Sequence, residues 1–214
     1  MRHNVLTRLA LASTAALILG CASAPPPPPV LKDGELALPA GYKAWPRFLP
    51  TIDRPDVKQI RDIYMNPAAT QVKAGEPFPQ GSRFVMEIYA AATLPDGTPR
   101  LEGDRLVKGP LMHVYVMGKE ANWGADVPEA SRNGNWIYSA FKPDGTPNTP
   151  LVGTCRVCHT PLKREDYVFH LDRYLAQRRS ALPLDLQNWA QAPSFGEART
   201  QQALAAISPA APGR

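Results

Sequence analysis

Hydrophobic and polar residues alternate most regularly between Ser82 and Ala92. There Phe84, Met86 and Ile88 fall on one face and Val85, Glu87 and Tyr89 on the other, the period of two that marks a β-strand. A second strand is expected over Leu106 to Lys119, broken or bulged at Gly109-Pro110. Its Met112, Val114 and Val116 face one way, and His113, Tyr115 and Met117 the other. Trp136 to Phe141 and Val57 to Tyr64 read as further strands, the latter stopping at Asn66-Pro67. Pro67 to Lys73 predicts one or two helical turns, with Asn66 as cap, Pro67 at the first position and Gly75 as the stop. Leu171 to Arg179 reads as a helix; beyond Ala181 the apolar pattern fades into an Ala/Pro-rich tail. No internal repeat is visible.

The first residues follow a different pattern. Arg2 and Arg8 precede an apolar run from Leu9 to Gly20, the order of charge and hydrophobicity of a secretory signal. The run is shorter than the ~20 residues that span a bilayer. It ends Ile18-Leu19-Gly20-Cys21, which resembles a bacterial lipobox, so Cys21 is the expected lipidation site and mature N-terminus. A cut after Ala22-Ser23-Ala24 would instead leave the chain in the soluble periplasm. Pro25 to Pro29 then forms an extended spacer. The expected organisation is a signal peptide over 1–20, a lipid-anchored spacer over 21–34, a globular domain over 35–175, and a C-terminal helix and disordered tail over 176–214. Ala22 is not the acidic residue that often retains such proteins at the inner membrane, which points to the outer membrane.

Composition narrows the picture. Proline makes up 24 of 214 residues, or about 11% against a typical ~5%, which excludes a long helical bundle. The net charge of +5 falls to about +3 when Arg2 and Arg8 leave with the leader, too mild to imply a nucleic-acid partner.

Three cysteines remain to be placed. Cys155-Arg156-Val157-Cys158-His159 has the C-x-x-C-H spacing of a haem c attachment site. Two thiols add across the two haem vinyl groups, and the adjacent imidazole reaches the iron from the same side. A thioredoxin-like C-x-x-C would need a βαβ setting that the flanking sequence lacks. Structural zinc would need a fourth ligand, and His113 and His170 are unpaired and distant. A plain disulfide would leave His159 without a role.

With that motif behind several strands, the chain resembles the cytochrome P-460 family, which includes the β-sheet cytochromes c′. The matching segments are Leu38-Pro39-x-Gly41-Tyr42 with Trp45, Ile60-Arg61-x-Ile63-Tyr64-x-Asn66-Pro67, and Phe78-Pro79-x-Gly81 with Phe84-Val85-Met86-Glu87. They continue through Val116-Met117-Gly118-Lys119-Glu120 and Trp136-x-Tyr138-x-x-Phe141 to the pentad and Asp166-Tyr167-Val168-Phe169. The resemblance implies an α+β fold, mainly antiparallel β-sheet with a few short helices, one covalent haem c, and a homodimer. It implies Cys155 and Cys158 as attachment points and His159 as the iron ligand. Members that oxidise hydroxylamine carry a lysine joined to the haem edge; here that position is Met86, and nearby Lys73 reads as solvated. Relatives without the crosslink bind NO and CO under an apolar cover, to which Phe84, Met86 and Ile88 would correspond. Met86 reads as pocket wall, with ligation of iron through its sulfur as the alternative. Arg61 is a candidate for a haem propionate; His113 and His170 are expected to be structural or surface residues. The function implied is small-ligand binding (NO or CO) or electron transfer with a periplasmic redox partner at a His-ligated haem. The alternative is oxidation of hydroxylamine or a related nitrogen compound.

Overall fold

The computed structural model describes residues 29–181. The leader, Cys21, most of the proline run and the C-terminal tail lie outside the described residues. In chain order the strands are β1 (Ile52–Arg54), β2 (Gln59–Met65), β3 (Arg83–Ala91), β4 (Leu101–Glu102), β5 (Arg105–Leu106), β6 (Lys108–Lys119) and β7 (Trp136–Phe141). Two helices follow, α1 (Val152–His159) and α2 (Leu171–Ala181). Five strands form one antiparallel sheet in the order β1-β2-β3-β6-β7, and β4 pairs with β5 as a small separate hairpin. This is the expected α+β architecture, mainly antiparallel sheet with short helices.

Several local expectations shift. The expected strand over 57–64 begins at Gln59, because Pro55 to Val57 form a 3-10 turn and Lys58 turns the chain with a left-handed φ of 51°. The expected helix over 67–73 is a single 3-10 turn, Ala69–Gln71; Asn66 does cap it, its Oδ1 accepting the Ala69 amide. The strand read as one run from Leu106 is two pieces. Leu106 belongs to β5, and Gly109-Pro110 lies inside β6 where its pairing with β3 slips past Tyr89. A bulge tolerates a proline, which has no amide to donate. Gly109 is needed there, since a Cβ would come within 3.1 Å of the Ala90 carbonyl oxygen.

The alternation along β3 and β6 divides the core in two. Tyr42, Val85, Val114, Val116 and Ile137 pack on one face of the sheet. Phe48, Phe78, Phe84, Trp136 and Tyr138 pack on the other, together with Val168 and Tyr174. On this second face the Phe84 ring meets Phe48 and Phe78 edge-on, each at 5.2 Å, the geometry that aromatic quadrupoles favour. Each such buried side chain contributes roughly 1.5–3 kcal/mol. All six residues of β7 are buried, because both of its faces are covered.

The first face also buries two carboxylates side by side, Asp62 on β2 opposite Glu87 on β3. Glu87 accepts hydrogen bonds from the hydroxyls of Tyr42, Tyr64 and Tyr89 at 2.6, 3.2 and 2.8 Å, with Lys43 Nζ at 3.2 Å. Burial pushes its pKa up, but these partners together hold it below the usual range. Asp62 is treated alike: burial raises its pKa, and Arg47, Lys108 and Thr51 bring it down to about 2. Both acids are therefore ionised and fully engaged, on the side of the sheet away from the cavity described next.

Asp33 and Gly34, which the sequence places in the spacer, are tied to the sheet. The Gly34 amide donates to the Tyr138 carbonyl, and the Tyr138 amide donates to Asp33.

Candidate functional site

Across an antiparallel sheet, directly paired residues project from the same face. One row runs Ile52, Arg61, Ile88, His113; the next runs Ile63, Met86, Tyr115, Ala140; a third runs Met65, Phe84, Met117, Tyr138. These rows form the floor of a cavity of about 630 Å³. That lies within the ~300–1,000 Å³ common for small-molecule and cofactor sites. The opposite wall comes from α1 and from the segment Val168 to His170.

Helix α1 explains how the cysteine motif reaches this space. Cys155, Cys158 and His159 are spaced i, i+3, i+4, so a single helical turn puts all three on one face. Val152 and Arg156, also i and i+4, form a buried second face. Arg156 clamps the helix down: its Nε and a terminal nitrogen donate to the two oxygens of Asp33 at 2.9 and 2.8 Å, and that nitrogen also reaches the Trp136 carbonyl. Buried Asn133 donates to the Arg156 carbonyl and to Tyr138 Oη, and accepts from Thr160. The residue between the two cysteines is thus the fastening of the helix, not a filler.

His159 is held in one orientation. Its Nδ1 lies 2.6 Å from the Tyr167 carbonyl oxygen, which can only accept, so Nδ1 carries the proton and Nε2 keeps its lone pair. Tyr138 and Phe169 flank the ring at 5.2 and 5.0 Å. Burial lowers the imidazole pKa, partly opposed by the bond to Tyr167, so the ring is neutral at pH 7. A neutral imidazole with its far nitrogen free and its near nitrogen bonded to a carbonyl is the arrangement of an iron-ligating histidine.

The Tyr167 carbonyl is itself positioned by strained backbone. Asp166 and Tyr167 have φ of 49° and 63°, and His170 has 61°. Asp166 secures the turn by accepting from Lys119 Nζ at 2.7 Å and from the Phe78 amide at 2.8 Å. Nothing local in the sequence signals that Lys119 and Asp166 meet.

The two thiols differ. Cys155 is partly buried, with Sγ 3.7 Å from the Leu151 carbonyl oxygen, and burial pushes its pKa up to about 11. Cys158 is exposed. Both thiols are free, as attachment to haem vinyl groups requires.

The sequence-derived candidates therefore converge. Cys155, Cys158, His159, Phe84, Met86 and Arg61 all border the one cavity; His170 does too, from an exposed position. Among the described residues no lysine borders it: Lys73 points to solvent beside Glu76. Among those residues no cluster of three or more His, Cys, Asp or Glu side chains gathers to hold a bare metal ion. One expectation changes. The cover over the cavity is not purely apolar, because Arg61 and Tyr115 share it with Met86 and Ile88. Sequence reasoning noted that Tyr115 and Met117 share a face but gave Tyr115 no part in the site.

The family model described as Cytochrome P460 matches residues 39–170. No curated protein matches the chain.

Proposed function

The chain belongs to the cytochrome P460 family, whose members are c-type haem proteins, and on that premise we propose that it binds a small neutral ligand such as NO or CO at a single His-ligated haem c. The observation that carries this reading is the cavity itself, with two free thiols and a fixed neutral imidazole on one wall and a strand face of Phe84, Met86 and Ile88 on another. When bound, haem supplies a ligand site on iron and a one-electron couple. The chain's own part is to supply the thiols of Cys155 and Cys158, to present His159 Nε2, and to exclude water with Phe84, Met86 and Ile88. Lys73 and Lys119 are engaged elsewhere, which counts against a lysine crosslink and against hydroxylamine turnover.

Reduced holoprotein is expected to be mainly five-coordinate, to bind CO and NO, and to show no steady hydroxylamine oxidation. Resonance Raman or magnetic circular dichroism reads the first, and optical titration the second. Met86→Leu should leave the reduced spectrum unchanged. A low-spin six-coordinate spectrum that Met86→Leu abolishes would make Met86 an iron ligand and the protein an electron carrier. Sustained hydroxylamine oxidation would favour the oxidoreductase alternative.

Export and lipidation at Cys21 complete the proposal, supported by the basic-then-apolar order of residues 1–20 and the proline spacer. Among the described residues no helix is long and apolar enough to cross a membrane. Mass spectrometry of the mature N-terminus should find a lipidated Cys21. An unmodified start at Pro25 would mean cleavage after Ala24.

A further inference from the structure

The residues ahead of 39–170, the span that the family model matches, are built into the wall of the cavity. Over residues 29–38 the chain lies as a strap against the sheet. The Pro29 carbonyl accepts from Trp123 Nε1 at 2.9 Å, Leu36 is buried, and Leu31 and Leu38 pack beside it on the first face. The strap also bonds both backbone groups of Tyr138 on β7. Gly34 donates to its carbonyl at 2.7 Å, and Asp33 accepts from its amide at 3.0 Å.

Asp33 is the point where strap and site meet. Its carboxylate touches two groups that support the cysteine motif. One is the guanidinium of Arg156, the residue after Cys155, at 2.9 and 2.8 Å. The other is the backbone of Tyr138, whose ring flanks the His159 ring at 5.2 Å. The Arg156 side chain is only 8% exposed, and among the described residues Asp33 is the one carboxylate that pairs with it. Without Asp33 the guanidinium would keep a 3.3 Å contact to the Trp136 carbonyl, and its Nη1 already has no partner.

Arginine cannot shed its proton, so a buried guanidinium stripped of its counter-charge favours any movement that lets water in. The movement open to it is a lift of α1. Arg156 sits in the middle of that helix, and its outer side, with Val157 and Cys158, is already in solvent. The other fastenings do not replace Asp33. Asn133 and Thr160 bind the Arg156 carbonyl and Val152 is buried in the first turn, but none of them meets the charge. The carboxylate also acts on the first thiol: next to burial itself, the charge of Asp33 is the main cause that keeps Cys155 protonated.

We propose that Asp33 is a positioning residue for the haem wall: by neutralising Arg156 and fixing the backbone of Tyr138, it holds α1 so that Cys155 stays buried and His159 stays presented to the cavity. The unit that builds the site therefore begins at the strap and not at residue 35. The effect on His159 rests on the haem reading; the effect on Cys155 does not.

The test uses the full chain. Asp33→Asn removes the charge at constant shape, and Glu35→Gln is the control, since the Glu35 side chain bonds only within the strap. In the folded haem-free chain, the ratio of Cys155 to Cys158 alkylation by iodoacetamide at neutral pH should rise about 10-fold or more in Asp33→Asn. In the loaded protein the iron–histidine stretch should shift or broaden. Adding Arg156→Met to Asp33→Asn strands no charge and should bring both readouts back toward wild type. Glu35→Gln should match the wild type in both. A strap that only adds stability would lower the urea midpoint of Asp33→Asn while the alkylation ratio and the stretch stay at wild-type values, and that result overturns the inference. A raised ratio with an unmoved stretch also overturns it, because Asp33 would then act on the thiol alone. A wild-type chain that loads no haem, with the ratio still rising in Asp33→Asn, brings down the haem reading and leaves Asp33 standing as the residue that holds α1.

Discussion

Replacing Asp166 by alanine is expected to destabilise the folded chain by about 3–5 kcal/mol, the usual result of leaving one member of a buried ion pair alone. Lys119 and Asp166 are only 7% and 14% exposed as side chains, so the ammonium left behind would be neither solvated nor paired. The Phe78 amide would lose its acceptor as well. The damage should reach the candidate site, because Asp166 and Tyr167 hold left-handed backbone that costs of order 1–3 kcal/mol each unless the surroundings enforce it. Once that turn relaxes, the Tyr167 carbonyl no longer fixes His159 Nδ1. Urea unfolding measures the stability loss. The iron–histidine stretch of the loaded protein measures the loosened imidazole. Asp166→Asn keeps an acceptor for Phe78 but removes the charge, and should fall between alanine and wild type. Pairing Asp166→Asn with Lys119→Met should regain stability, since no buried charge is then stranded. If Asp166→Ala unfolds at the wild-type urea midpoint, the pair is not structural and the turn is held by something else.

Contrast with the sequence shows which of these features could be read in advance. The strand over 83–91 was legible because its faces differ in chemistry: Phe84, Met86 and Ile88 against Val85, Glu87 and Tyr89. Its pattern correctly separated Glu87 from Met86, though not the burial of Glu87, which depends on tyrosines from three separate segments. β7 was legible as a run of large apolar residues. β1, β4 and β5 span two or three residues each, too few for any period to register. Helix α1 was missed because Val-Gly-Thr-Cys-Arg-Val-Cys-His holds no strong helix former except arginine. It forms because tertiary contacts, above all Arg156 with Asp33, hold it down. That pair is 123 residues apart and Lys119 and Asp166 are 47 apart; neither leaves a local trace. The attachment motif was legible because its spacing is set by the chemistry of a haem and not by the fold. Arg61 was legible as a candidate cation, but its place on the cavity floor, bonded only to Gln59, is a property of three dimensions.

Changing Cys155 and Cys158 together to alanine is expected to abolish covalent haem while sparing the fold. Cys158 is exposed, and the one hydrogen bond of Cys155 is a weak sulfur contact to the Leu151 carbonyl. Cys155 packs against the core only in part, alanine keeps its Cβ there, and the fastening of α1 through Arg156, Asn133 and Thr160 remains. His159 also keeps its bond to Tyr167, so an imidazole is still presented to the cavity. Acidified acetone should extract all pigment from the double variant and none from the wild type, while the two haem-free chains unfold alike. The thiols should also differ before haem is attached. The thiolate is the reactive form, and burial keeps Cys155 protonated at neutral pH, with its pKa up to about 11. Iodoacetamide should therefore alkylate Cys158 well before Cys155 in the folded haem-free chain, with Cys155 catching up only as the pH approaches that value. Wild-type pigment that acetone removes would disprove thioether attachment and leave His159 as the cofactor's sole covalent or coordinate hold. Equal alkylation of both thiols at neutral pH would mean that α1 does not bury Cys155, and the wall of the cavity would have to be redrawn.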